Sequence, residues 1–399
     1  MKKINVIDIS ATLMIAFIFA FYDYTVLAVI FQIVFISLVT IKTIYYKRKL
    51  PLLYISWWIL FIVWCATSVL WAKHTETFLS VLISVIQVAT IGISIVLYAD
   101  SDFKINHLIF SMVVSGVLLC VRFFINVPIS LWGDEQRLKG FISFYSNTGP
   151  MMLSFVSVIL FNKYLQRKNI WFIGIITIFF FVMILYGTRK ALIIFLFGII
   201  VQTLLSAKRL VKTITYTIFI VLGVISLYYA LLSIPLLYGA IGYRIEGMMN
   251  SIQGQVGDAS TKARLLFIDY AKKLFLESPY IGVGLDGFRY YNIHEMTYSH
   301  NNYYELLCNT GIIGLLLYYW FYFVMILKLL PCVRKSNNCL LAFTIITCYI
   351  IIDYFNVSYF EELAHVIISF SYALIRLEKS KVVNISEFGQ LVKMKPIYN

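Results

Sequence analysis

The feature that most constrains this chain is a succession of apolar runs, each about 20 residues long, with short basic clusters between them. A run of that length spans the hydrocarbon of a bilayer as a helix at 1.5 Å per residue. About twelve such runs can be placed. They cover 4–22, 24–46, 51–72, 77–98, 105–126, 148–165, 170–187, 190–206, 213–234, 303–327, 339–357 and 363–377. Composition agrees, with 61% hydrophobic and only 13% charged residues. A soluble domain carries about 25% charged residues, and no single soluble core absorbs so much apolar surface. Aromatics at 17% suit two interfaces to be anchored. The expected class is an all-α polytopic membrane protein of about twelve transmembrane helices with a large outer loop.

The net charge of +14 invites a nucleic-acid reading, but the basic residues are dispersed between apolar runs, as membrane topology requires. With the N-terminus inside, Lys47-Arg48-Lys49, Arg167-Lys168, Lys208-Arg209-Lys212 and Arg334-Lys335 all fall inside, and the tail adds Arg376, Lys379, Lys381, Lys393 and Lys395. Roughly twenty basic and about five acidic residues then share that side. An even number of spans and two cytoplasmic termini follow. The start, Met1-Lys2-Lys3 and an apolar run, reads as an uncleaved first span, because further spans follow it. Cys65, Cys120, Cys308, Cys332, Cys339 and Cys348 show no metal-ligand spacing and no disulfide framework, so they are expected to be free, packed thiols.

The chain is expected to divide into helices 1–9 over 1–234, an outer catalytic loop over 235–302, and helices 10–12 with a tail over 303–399. A smaller outer segment, 127–147, carries Asp134, Glu135, Arg137 and Lys139. The large loop is too small for an ordinary independent domain and should pack on the bundle. In it, an amphipathic helix is expected from Ser260, a plausible N-cap, to Ser278-Pro279. Ala263, Phe267, Tyr270 and Leu274 share one face, and Arg264 sits near headgroup level. Ile281-Gly282-Val283-Gly284 then predicts a tight turn where backbone approaches another element. It lacks the strand-to-helix setting of a nucleotide fingerprint.

The loop closes on Ser299-His300-Asn301, followed after nine residues by Gly311-Ile312-Ile313-Gly314. Ser299 or His300 is expected to start a helix entering the bilayer, where unpaired N–H groups suit an anion. A histidine there can exchange a proton near neutral pH; the bland alternative is a residue that merely caps the helix. Asn301 and Glu305, four apart, are auxiliaries that could orient it or each other. Gly311 and Gly314 would let a neighbouring helix pack closely. Gly187-Thr188-Arg189-Lys190 places two cations on the outer side, against the positive-inside trend. An arginine there usually has a partner, and phosphate matches its guanidinium in a bidentate way. Lys190, Arg244 and Arg289 are auxiliaries that could add positive field, although ordinary headgroup contact is the commoner explanation for each. His74, His107, His294 and His365 have no supporting pattern. Tyr290, Tyr291, Tyr298, Tyr303 and Tyr304 read as an interfacial aromatic belt or as sugar-stacking rings.

The ordered set Thr188-Arg189, Ser260-x-x-x-Arg264 with Pro279-x-x-Gly282-x-Gly284, and His300-Asn301 with Gly311-x-x-Gly314 resembles the signature of the O-antigen ligase and polysaccharide polymerase family. Thr188 stands where that family has Ser. The resemblance covers about 187–320 by motif. It implies a membrane-embedded GT-C type glycosyltransferase in the bacterial cytoplasmic membrane. The implied donor is a glycan on undecaprenyl diphosphate, transferred to an acceptor sugar at the outer face with no metal or other cofactor. On that reading His300 is the general base, and Arg189 and Arg264 bind the diphosphate. Polymerase is the preferred activity, ligation to lipid core or protein the alternative. A lipid-linked sugar transporter is disfavoured, because its charges belong nearer the bilayer midplane.

Overall fold

The computed structural model describes residues 4–73, 76–132, 148–207, 209–253, 259–292 and 297–393. The loop charges Asp134, Glu135, Arg137 and Lys139, together with His74, His294, Lys208 and Lys395, lie outside these residues. Among the described residues the chain is all helix and turn, with no strand.

Among the described residues, nine α-helices precede the large loop: α1 (Val6–Phe19), α2 (Thr25–Tyr45), α3 (Leu52–Thr67), α4 (Glu76–Tyr98), α5 (Asp102–Asn126), α6 (Thr148–Arg167), α7 (Trp171–Leu185), α8 (Arg189–Ser206) and α9 (Leu210–Ser233). Within the loop lie α10 (Tyr243–Ile252), α11 (Ala259–Glu277) and the single turn α12 (Gly287–Tyr291). The chain ends with α13 (Asn302–Leu329), α14 (Asn337–Ile352) and α15 (Glu362–Lys393). Each expected apolar run falls on a helix. By length and composition α2, α3 with the turn that follows it, α4, α5, α8, α9 and α13 are able to cross a membrane, and α1, α7 and α14 are shorter apolar helices. The protein is an all-α polytopic membrane protein.

Local sequence explains where the helices start. Asn5 and Asp8 form a reciprocal capping box at α1, with bonds of 3.1 and 3.0 Å. Ser101 caps α5 and Ser336 caps α14. The centre of the bundle is aromatic. Trp57 stacks on Phe321 with ring centroids 4.2 Å apart, and its Nε1 donates to the Tyr318 carbonyl at 2.9 Å. His365 sits fully buried against Trp58, 4.7 Å between ring centroids, which gives it a packing role. At the other extreme, α9 is apolar on every side and buries only Leu231, an arrangement that lipid alone can solvate.

The basic connections gather at one end of the bundle. Arg376 donates to the Lys49 carbonyl at 2.6 Å, Arg48 pairs with Asp100, and Lys381 pairs with Asp102 at 2.8 Å. There the structure overturns one expectation. Cys332 and Cys339, seven residues apart, form a disulfide across the α13–α14 turn. The hairpin brings their Cα atoms to 5.9 Å, within the range such a bond needs. Cys65, Cys120, Cys308 and Cys348 are free and buried, as expected.

Candidate active site

The site lies at the opposite end, where α8, α13 and α15 begin and α14 finishes. Its frame is a break in α13. Gly311 leaves helical geometry, with φ 67° and ψ −174°. The turn after α11 fills the gap: Val283 N–H donates to the Cys308 carbonyl at 2.9 Å and Gly284 N–H to that of Asn309 at 3.0 Å. On the far side of the break, Ile312 N–H donates to the Pro279 carbonyl at 2.9 Å. Backbone groups that the interrupted helix leaves open are therefore satisfied by the loop. The approach leaves no room for side chains. A Cβ on Gly311 would lie 2.2 Å from the Tyr280 oxygen, and one on Gly282 would lie 2.5 Å from the Asn309 carbonyl carbon. The neighbour expected at Gly311 was a helix; what packs there is this turn. Gly314 instead admits α3, whose Trp64 Nε1 donates to the Thr310 carbonyl at 2.9 Å. Gly311→Ala should destabilise the protein by about 3 kcal/mol, because strain and overlap add. Thermal unfolding in detergent checks this, and an unchanged midpoint would refute the interlock.

The same unit sets the turn that carries His300. Glu305 is fully buried on the first turn of α13; its Oε2 accepts from Ser299 N–H at 2.7 Å and its Oε1 from Asn309 Nδ2 at 2.9 Å. His300 is held in left-handed backbone at φ 59°. The helix starts later than expected: Asn301, not Ser299 or His300, is the N-cap, accepting from Tyr303 and Tyr304 N–H at 3.0 and 3.1 Å. Asn302 N–H bonds the carbonyls of Asp353 and Asn356, and Glu305 N–H that of Asn301. The first-turn donors are thus satisfied internally, so the helix N-terminus is not where an anion would bind. Asn301 and Glu305 shape the turn and do not line the cavity.

The cavity that His300 does line has a volume of about 510 Å³. Arg189 and Lys190 from the start of α8, Thr261 and Arg264 from α11, and Tyr354 and Phe355 from the segment after α14 share its wall. Met248, Leu265 and Ile268 supply apolar surface. Three cations and one imidazole, far apart in sequence, thus face one space. α11 is oriented by Phe267, Ala271 and Leu274, which pack on Phe288 and Cys308 and leave Arg264 on the cavity side. This helix begins at Ala259, so Ser260 lies within its first turn and is not its cap. The His300 ring stacks near Phe267, 6.1 Å between centroids, and lies 4.5 Å from the Tyr298 ring. Its Nδ1 is buried without a hydrogen-bond partner. Burial, followed by the positive charges of Arg264 and Lys190, pushes its pKa down to about 4. The imidazole is therefore neutral and able to accept a proton at neutral pH.

Arg189 also ties the loop to the bundle. Its Nη1 donates to the Arg244 carbonyl at 3.2 Å and lies 3.4 Å from the Thr261 hydroxyl, while Arg244 returns a bond to the Gly187 carbonyl at 3.2 Å. Arg244 is therefore a clasp outside the cavity lining. Arg289 lies 3.4 Å from the buried Asp286 carboxylate, away from the cavity. Tyr303 donates to the Ile350 carbonyl at 2.6 Å and stacks on Tyr319, so it is a packing residue.

Tyr354, Phe355, Asn356 and Glu361 were not foreseen as site residues. The run read as a span to 357 ends as a helix at Ile352, and 353–361 is a non-helical link. The sequence signal was there: Asp353, Asn356, Glu361 and Glu362 crowd the join between two apolar runs. Among the described residues, no group of three or more His, Cys, Asp or Glu side chains could hold a metal ion.

A polytopic helical membrane protein with a cationic, histidine-bearing cavity at one end of its bundle is the class that fold and site define. Residues 173–319, somewhat over a third of the chain, match the family model described as O-antigen ligase. The matched span includes Arg189, Lys190, Arg264 and His300. No curated protein matches the chain.

Proposed function

We propose that the protein transfers a glycan from undecaprenyl diphosphate to an acceptor sugar at the outer face of the bacterial cytoplasmic membrane. The observation that carries this reading is the convergence of Arg189, Lys190, Arg264 and His300 on one cavity at a membrane-bundle end. Arg189 and Arg264 bind the donor diphosphate, and their charge offsets that of the leaving group as it departs. His300 takes the acceptor hydroxyl proton while the acceptor oxygen bonds to the anomeric carbon. The bond from that carbon to the diphosphate breaks, and the electron pair leaves with the lipid diphosphate. The leaving group is already ionised, so the acceptor is the partner that needs a base. Charge supplied by fixed guanidinium groups serves where a metal ion would otherwise serve, which supports a metal-independent reaction.

Polymerisation of lipid-linked repeat units is the preferred activity. The second reading is ligation of finished glycan to a lipid core or protein; the family match is compatible with either. The position of the cations at one end of the bundle, not midway along it, speaks against transport. Reconstitution with a lipid-linked repeat unit, alone and with candidate acceptors, in the presence of EDTA separates them, since a transporter would form neither product. Longer lipid-linked chains are expected; transfer only to a core acceptor would replace polymerase by ligase. Loss of product that added Mg²⁺ restores would overturn the metal-free mechanism.

A further inference from the structure

Lys190 presents an unusual problem for a buried ammonium. Only 5% of the residue is exposed, and it shares the cavity wall with Arg189 and Arg264. Removing such a charge from water costs several kcal/mol unless it is compensated. Its Nζ donates to the Asn356 Oδ1 at 2.7 Å, and the Asn356 Nδ2 donates in turn to the Glu361 Oε2 at 2.7 Å. The two bonds fix the amide orientation, oxygen to the ammonium and nitrogen to the carboxylate. Glu361 precedes α15, and its backbone N–H donates to the Ser358 carbonyl at 3.0 Å, so the carboxylate stands on an anchored turn.

We propose that Glu361, acting through Asn356, is a positioning residue that holds Lys190 as a third cation for the donor diphosphate. The proposal rests on the donor reading above. One amide between acid and ammonium has a chemical consequence. A direct ion pair would occupy and neutralise the ammonium, whereas the relay uses one of its three N–H groups and leaves two for ligand oxygens. The negative charge is close enough to stabilise the lysine but does not line the cavity, where it would repel the diphosphate. Arg189 is bonded to α10 and α11, whereas Lys190 is bonded to the 353–361 link.

Binding of a prenyl diphosphate to the purified full-length protein in detergent tests this, with wild type, Lys190→Gln, Glu361→Gln and the double variant compared. Lys190→Gln should weaken binding about tenfold. Glu361→Gln should weaken it about threefold or more, although a simple field effect runs the other way, since removing a negative charge favours an anion. The double variant should bind no worse than Lys190→Gln alone, because a residue that acts through another adds nothing once that partner is gone. In the transfer assay the Glu361→Gln loss should fall on the donor KM more than on kcat. Unchanged or tighter binding by Glu361→Gln, or a double variant whose loss is the product of the single losses, overturns the relay. A wild type that binds no prenyl diphosphate overturns the donor reading together with it.

Discussion

His300→Ala is expected to lower the rate of glycan transfer by about a hundred- to ten-thousand-fold, the range for losing a general base. The protein should still fold, because the turn is pinned by Ser299 and Glu305 and not by the imidazole. A normal yield of polymer or ligated product from this variant would refute the catalytic role. The pH profile adds a second check. The folded imidazole titrates at about 4, below its ordinary value, so it stays neutral and competent as pH falls from 7 and protonates only near 4. The acid limb of kcat/KM, which reports the donor-free enzyme, should therefore lie near 4. On the proposed reading, diphosphate bound between Arg264 and Lys190 would offset the charges that, after burial, depress this pKa. The acid limb of kcat should accordingly lie at higher pH than that of kcat/KM.

Arg264→Ala should reduce transfer by about a hundred- to a thousand-fold, comparable to losing one preorganised charge donor. Arg264→Lys should recover only part of this, since an ammonium cannot reproduce a bidentate contact. Measuring kcat and KM for the donor in both variants checks the assignment; a lysine variant of full activity would mean that charge alone suffices. Arg189→Ala would mix two effects, because that side chain also secures α10 and α11.

Much of the architecture was legible because lipid imposes a simple rule on apolar run length. The helix ends were less so, since local chemistry sets them: Asn301 captures two N–H groups and displaces the expected start of α13. Arg189, Arg264 and His300 could be singled out in the sequence, but their shared cavity depends on α11 packing through Phe267 and Leu274, a tertiary fact. The spacing of Gly311 and Gly314 suggested helix crossing, and a helix break that accepts a loop has no comparable periodic signature. Glu361 and Asn356 were hidden for another reason. At the end of an apolar run they read as ordinary interfacial polar residues, and only the fold aims them at Lys190.

The break at Gly311 also bears on how substrate reaches the cavity. Segment 279–284 is stitched to α13 on both sides of the interruption, and Leu285 N–H adds a bond of 3.0 Å to the Ser68 hydroxyl after α3. That part of the loop is masonry, not a door. Swinging it aside would strip several buried backbone bonds at once, each costly to leave unmade. On the proposed reading, the glycan reaches the cavity without displacing this segment, past a histidine turn that remains a fixed threshold.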